Sequence, residues 1–167
     1  MNTLELAQAE DLEVCNEIIQ TGREFQREQG FVQWTDGYPS LDTIRDDIQT
    51  QKGYVIKADG KIAGYMCIDF DGEPAYDTIQ GAWQTEEPYA VVHRMAFRRE
   101  FRGMGLTRAA FQLIQELCIS KGVKSIRVDT DFPNKRMQHL LEKSGFAQRG
   151  IIVFQGSGKL AYDKSLK

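Results

Sequence analysis

The 167-residue chain is poor in the residues that staple or metallate small proteins: three cysteines, two histidines and four prolines. Cys15, Cys67 and Cys118 are odd in number and far apart, with no Cys-x-x-Cys. That excludes a zinc ribbon or a disulfide framework. Each sits among apolar neighbours and reads as a small buried hydrophobe. With only His93 and His139, a multi-histidine metal site is excluded too. No apolar run approaches the ~20 residues of a membrane span. The first ten residues carry Glu5 and Glu10 but no Lys or Arg, unlike a secretory or transit peptide, so a cytoplasmic protein is expected. A surplus of positive charge is also missing. The net charge is −3, which argues against general nucleic-acid binding. There are no repeats, no low-complexity tract and no Pro/Ser-rich linker, so residues 1–167 read as one domain. What is present is an ordinary globular composition, 41% hydrophobic and 27% charged. A chain of this length buries roughly 70% of its unfolded surface and needs no staple.

The charge is unevenly placed. Between His93 and Arg108 stand Arg94, Arg98, Arg99, Arg102 and Arg108 against Glu100 alone, a local charge of +4. Just upstream, residues 62–93 hold Asp69, Asp71, Glu73, Asp77, Glu86 and Glu87 with no Lys or Arg, a local charge of −6. A basic window beside an acidic one suggests two ligand moieties of opposite sign; two solvated faces are the competing reading.

Periodicity lays out the elements. Residues 3–6 suit a short strand. Leu12, Cys15, Ile18, Ile19, Gly22 and Phe25 recur at helical spacing, predicting a helix over about 10–29 that ends at Gly30. A turn-rich loop over 33–39 precedes a second helix over 41–50. Residues 53–57 and 61–70 form a hairpin around Ala58-Asp59-Gly60. Residues 71–87 are long and irregular, as functional or mobile loops are. A strand over 89–97 precedes the clearest helix, 105–120, with Leu106, Ala110, Leu113, Ile114 and Leu117 on one face. A strand over 125–130 alternates Ile126 and Val128 with Arg127 and Asp129. A helix follows over 134–144, stopped at Gly145. Strands over 146–154 and 159–164 close the chain. The class is α/β (α+β), with a mixed sheet.

The segment Phe97-Arg-Arg-Glu-Phe-Arg-Gly-Met-Gly-Leu-Thr-Arg108 carries the chemistry. A strand ends, a loop with Gly103 and Gly105 follows, and a strong helix begins. Glycines let backbone approach a ligand closely. A helix start presents unpaired N–H groups and the positive end of the macrodipole. Together they make an anion site suited to a phosphate or pyrophosphate, to which Arg102 and its neighbours can add charge-assisted bonds. A basic surface turn is the alternative. The segment is not a P-loop, lacking Gly-Lys-Ser/Thr, nor a dinucleotide fingerprint, since Arg108 stands where the third glycine belongs.

His93-Arg-Met-Ala-Phe97 followed by Arg102-Gly-Met-Gly-Leu-Thr107 resembles the acyl-CoA signature of the GNAT superfamily of N-acyltransferases, Gln/Arg-x-x-Gly-x-Gly/Ala after a strand. Arg102 and Gly105 match, and Thr107 replaces the small last residue. Asn134-Lys-Arg-Met-Gln-His-Leu-Leu-Glu-Lys-Ser-Gly-Phe146 resembles the second signature, an Asn-led helix closed by Gly-Phe. The resemblance covers about 90–154; the N-terminal half fits by element order only.

The resemblance implies a GNAT-like fold: a mixed, mostly antiparallel sheet of about seven strands, about four helices, and a splayed parallel pair of strands at the cofactor. It places the cofactor-binding half at about 89–154. It implies acetyl-CoA as donor, with CoA as product, no metal, and direct attack by an amine. Met95, Ala96 and Phe97 would hold the pantetheine arm along the strand. Arg102, Gly103, Met104, Gly105, Leu106 and Thr107 would hold the pyrophosphate, and Asn134 the pantetheine or diphosphate side. The family's usual general acid, a tyrosine in the Asn-led helix, falls at Leu141, which cannot donate a proton. His93 is the best single candidate for the base: it lies two residues before Met95, hence on the same sheet face by alternation, and its ordinary pKa near ~6.5 suits the task. Related aralkylamine N-acetyltransferases carry a histidine at this place. Glu87 could act through water or anchor the amine. His139 reads as a surface residue.

Acceptor sites in the family are built from the N-terminal helices and the loops beside them. Here those loops carry Trp34, Tyr38, Tyr76, Trp83 and Tyr89 together with Asp36, Glu86 and Glu87, a combination that suits a cationic amine. The expected function is transfer of an acetyl group from acetyl-CoA to a primary amine of a small molecule or peptide, with no nucleic acid and no membrane involved. Members sometimes pair through exposed strands, which allows a homodimer. Two other readings stay open. A catalytically weak acyl-CoA sensor or interaction module would explain Leu141 and Thr107. A non-CoA phosphate binder would leave the Asn-led helix unexplained.

Overall fold

A computed structural model describes residues 1–166. Eight strands form one mixed sheet in the order β1-β2-β3-β5-β6-β8-β7-β4, one more than the seven expected. The addition is β4, Gln80–Gly81, two residues paired antiparallel with β7 inside the segment taken as irregular. A two-residue strand carries no periodicity, so the pattern could not announce it. The same segment contains a 3-10 turn, Pro74–Thr78, capped by the Glu73 carboxylate.

The chain forms two compact units, Met1–Ile68 with Arg94–Leu113, and Asp69–His93 with Ile114–Lys167. The first holds β1 (Asn2–Leu6), α1 (Leu12–Glu28), α2 (Leu41–Gln49), β2 (Gly53–Ala58) and β3 (Lys61–Asp69, all but its last residue). It also holds the second half of β5 (Ala90–Phe97) and the start of α3 (Leu106–Ser120). The expected apolar stripe of α1 is real: Cys15, Ile18 and Ile19 are buried in one cluster with Trp34, Ile44, Val55, Tyr65 and Ala96. Gly22 completes the stripe by absence, since a Cβ there would lie 2.9 Å from the Ala96 Cβ. Ser40 caps α2, accepting from the Thr43 N–H, as its place before an apolar-periodic run predicts. The β2–β3 turn, Asp59-Gly60, has positive φ at both residues, the geometry that matches strand twist.

The second unit holds β4, the first half of β5, β6 (Ser125–Thr130), α4 (Lys135–Lys143), β7 (Ala147–Phe154) and β8 (Ser157–Ser165). Gln155 and Gly156 have positive φ and make a two-residue turn, so β8 begins earlier than expected. Tyr76, Trp83, Val91, Ile152 and Ala161 are its buried cluster. β5 and β6 are parallel, joined by α3 as a crossover helix must join them. Their ladder has only two pairs, Ala90↔Ile126 and Val91↔Arg127. Beyond them Val92 and His93 no longer pair with Val128 and Asp129, so the expected splay is present.

Candidate active site

In the first unit, Gly103 and Gly105 both take positive φ, 77° and 74°. The Gly105 carbonyl accepts from the Ala109 N–H and so opens α3. The N–H groups of Leu106, Thr107 and Arg108 therefore have no partner within the helix. Nothing lies within 4 Å of where a Cβ at Gly103 or Gly105 would project. The loop is an open, positively polarised backbone cradle that fits the diphosphate of an acyl-CoA. Met104 is largely exposed, Leu106 is buried beneath the loop, and Thr107 is half-buried.

The arginines do not all face that cradle. The Arg102 guanidinium lies 3.8 Å over the Phe25 ring and donates to the Thr21 carbonyl. Arg99 pairs with Glu28 and Glu24, and Arg98 lies 3.7 Å from Glu100. Arg94 pairs bidentately with Asp47, at 3.0 and 2.7 Å, and donates to the Tyr38 hydroxyl at 2.7 Å. Arg108 is exposed. The basic window is thus largely spent on this chain's own acids.

Arg94 also corrects a geometric step. Its φ of 56° is left-handed backbone in mid-strand, as in a bulge. Such a residue breaks the period-2 alternation, so His93 and Met95 cannot be assigned to one face by counting. The bulge is held from its side chain. Asp47 accepts from Arg94 and, at 2.6 Å, from the Tyr65 hydroxyl. Burial opposes the Arg94 charge, but Cys67, then Asp47 and Tyr38, hold the guanidinium above its ordinary pKa. Burial, and only then Asp47, pushes the Tyr65 phenol up. Met95 and Phe97 are half-buried and Ala96 is buried. Trp34 is a core residue of this unit, and Tyr38 is half-buried, its hydroxyl bound by Arg94.

In the second unit, the His93 Nε2 lies 3.6 Å from the Glu73 carboxylate, and its ring stacks on Phe154. The Tyr89 hydroxyl accepts from the Glu73 N–H. The Trp83 indole N–H donates to the Tyr76 carbonyl. Arg127 is buried between rings, 4.3 Å from Trp83 and 3.8 Å from Tyr89, and donates to the Thr85 carbonyl. Tyr76 is fully buried and donates to Asp129 at 2.7 Å. Burial, chiefly, raises the Asp129 carboxyl to about 6; Tyr76 and Lys159 oppose that rise, while Glu73 and Asp131 add to it. Glu87 is exposed, and its N–H donates to the Thr85 hydroxyl. Asn134 caps α4, its side-chain oxygen accepting from the Met137 N–H. Leu141 is fully buried, and His139 is exposed as expected. Phe146 N–H donates to the Leu141 carbonyl, closing α4 behind Gly145.

Sequence reasoning singled out His93, Tyr76, Trp83 and Tyr89, which the structure places in this unit, but did not single out Glu73, Asp129 or Arg127 as site residues. The Arg127/Asp129 alternation marked the polar face of β6. That face is covered by aromatics of the 71–89 segment. A half-exposed strand with an aromatic-rich irregular segment upstream was the available signal.

Among the described residues, no group of three or more His, Cys, Asp or Glu side chains could hold a metal. No helix among the described residues is long and apolar enough to cross a membrane.

The profile of the acetyltransferase (GNAT) family matches residues 19–146. The chain belongs to that family. It is similar to an acetyltransferase of the GNAT family from Streptococcus agalactiae, with 31% identity, a TM-score of 0.89, and 99% and 96% of the two chains covered. The aminoglycoside acetyltransferase AAC(6')-Ib, crystallised with coenzyme A, shares the fold at 20% identity and TM-score 0.73, covering 99% and 95%. The ribosomal-protein-S18-alanine N-acetyltransferase from Escherichia coli does so at 16% identity and TM-score 0.69, covering 100% and 95%. Among curated proteins no match is found.

Proposed function

We propose that this protein transfers an acetyl group from acetyl-CoA to a primary amine of a small molecule or peptide by direct attack. The observation that carries the reading is the Gly103–Gly105 loop. Its two left-handed glycines open α3, and the start of the helix is free to meet a diphosphate. Gly103, Met104, Gly105, Leu106 and Thr107 would hold the phosphates through backbone N–H groups. Each charge-assisted bond of that kind is worth about 1.5–3 kcal/mol. Arg102 would support the loop from beneath, through Phe25 and Thr21. Met95, Ala96 and Phe97 would bind the pantetheine arm along the strand, as an added strand binds a sheet edge. Asn134 would act by fixing the start of α4. Acetyl-CoA supplies the activated acyl group.

Trp34, Tyr76 and Trp83 are buried in the cores of their units, so of the expected acceptor aromatics Tyr38 and Tyr89, both half-buried, would be the ones to offer surface to a cationic amine. His93 and Glu87 are the candidates for the base that the sequence supplies. The neighbours' own substrates widen the test: an aminoglycoside, phosphinothricin and a protein's alanine terminus are named for them.

One observation favours the acyl-CoA sensor as second reading. Leu141 is fully buried where a proton-donating tyrosine is usual. Calorimetric titration of acetyl-CoA, followed by thiol release against kanamycin, phosphinothricin and an alanine-led peptide, separates the two. Binding with thiol release supports the transferase. Binding without release from any amine favours the sensor. No binding refutes both.

A further inference from the structure

We propose that the Oδ1 oxygen of Asp129 takes the proton from the acceptor's ammonium group, and that Tyr76 is the positioning residue that holds Oδ2. This rests on the transferase reading above.

The placement comes first. Asp129 lies on β6 two residues beyond Arg127, the last residue paired with β5. It therefore sits where the two strands have begun to part, at the mouth of the splay. Arg127 and Asp129 share one face of β6. Both are covered by the 71–89 segment, Arg127 by Trp83 and Tyr89, Asp129 by Tyr76. Tyr76 is itself fixed, with no exposed surface, its ring 5.1 Å from Trp83 and its carbonyl bound by the Trp83 indole. The phenol donates to Oδ2 and makes that oxygen immobile. Oδ1 accepts no hydrogen bond from any described residue, and Asp129 keeps part of its surface open. A buried carboxylate with one oxygen clamped and one unoccupied is built to accept something.

The chemistry fits an ammonium. A primary amine loses its proton near pH 10, so a base must work uphill. An ordinary aspartate would face about six orders of magnitude; one at about 6 faces about four. The step balances simply. One N–H bond of the ammonium breaks, its electron pair stays on nitrogen, and an O–H bond forms at Oδ1. The proton later returns to solvent.

The other candidates are worse placed. Glu87 is exposed. His93 is mostly covered, and its Nε2 is turned toward Glu73. The groups that act most strongly on Asp129, besides its burial, are four. Tyr76 and Lys159 lower its pKa, whereas Glu73 and Asp131 raise it. Lys159 is itself ion-paired with Asp131.

Those opposed signs supply the test. Thiol release would be followed from pH 5 to pH 9 with kanamycin, phosphinothricin and the alanine-led peptide. Carbon-13 NMR would follow the aspartate carboxyls over the same range. The wild-type kcat/KM should show an acidic limb near 6 that matches one carboxyl titration. Asp129→Asn should abolish both and lower kcat/KM about 100-fold, with acetyl-CoA affinity by calorimetry within twofold. Tyr76→Phe removes a bond to the ionised form, so the limb and titration should move to higher pH. Glu73→Gln removes a repelling charge, so both should move lower. A merely structural Asp129 would leave the limb in place. Activity of Asp129→Asn within threefold of wild type overturns the proposal. So does a limb that survives in Asp129→Asn but vanishes in His93→Ala. Wild-type protein that binds acetyl-CoA yet releases no thiol with all three amines refutes the transferase reading, and the role of Asp129 falls with it.

Discussion

Replacing Asp129 with asparagine should make the protein more stable above pH 6 and leave it unchanged near pH 4. In the unfolded chain this carboxyl ionises at its ordinary 3.8; in the folded chain it ionises at about 6, chiefly because it is buried. Below pH 4 it is protonated in both states and carries no penalty. As the pH rises, the unfolded chain loses the proton first, and stability falls by about 1.4 kcal/mol for each pH unit. Once the folded carboxyl has also ionised, above about 6, the full penalty stands, at about 3 kcal/mol. Asparagine keeps the shape and an acceptor for the Tyr76 hydroxyl but has no charge to desolvate. Its gain should therefore be near zero at pH 4, grow between pH 4 and pH 6, and level off at about 3 kcal/mol by pH 8. In a domain of this size that is a rise in Tm of roughly 6–12 °C. Urea unfolding of both proteins at pH 4, 5, 6, 7 and 8 measures it. The same gain at every pH, or a loss at pH 8, would refute the reasoning. A site that holds an unfavourable charge at neutral pH is the pattern expected where stability is given up for function.

The buried Arg94–Asp47 pair makes the opposite prediction. Its side chains are 12% and 5% exposed, and removing one strands the other. Asp47→Ala should destabilise by about 3–5 kcal/mol in urea unfolding, and a value under 1 kcal/mol would show that the pair is not what holds the Arg94 bulge. Gly64→Ala should also destabilise, by roughly 1–3 kcal/mol, because its Cβ would lie 2.6 Å from the Phe97 ring and 2.9 Å from the Ala96 carbonyl; unchanged stability would mean that the strands move apart freely. At the cradle, Gly105→Ala and Gly105→Glu share the backbone strain of about 1 kcal/mol, but only glutamate brings bulk and negative charge toward the phosphates. Acetyl-CoA affinity by calorimetry should fall at least 100-fold in Gly105→Glu and far less in Gly105→Ala, and equal affinities would remove the loop as the phosphate site.

Much of this protein was written locally. The α1 stripe from Cys15 to Ile19, the Ser40 and Asn134 caps, the Asp59-Gly60 turn and the glycine loop before α3 each depend on residues a few positions apart. Periodicity and turn chemistry act over that distance, so the sequence alone determined these elements and, through the loop and the Asn-led helix, the family. What lay beyond that range was decided by the tertiary structure. No residue type announces left-handed backbone at Arg94; an arginine adopts it here because Asp47, 47 residues away, and Tyr38 hold its side chain. The basic window read as an anion-binding surface, yet folding brought Glu24, Glu28 and Asp47 to its arginines. Asp129 read as the wet side of a strand; Tyr76, 53 residues away, covers it and gives it a pKa no local pattern encodes. Alternation tells which residues share a face of a strand. Only the packed chain determines what lies against that face, because burial and charge pairing act through space.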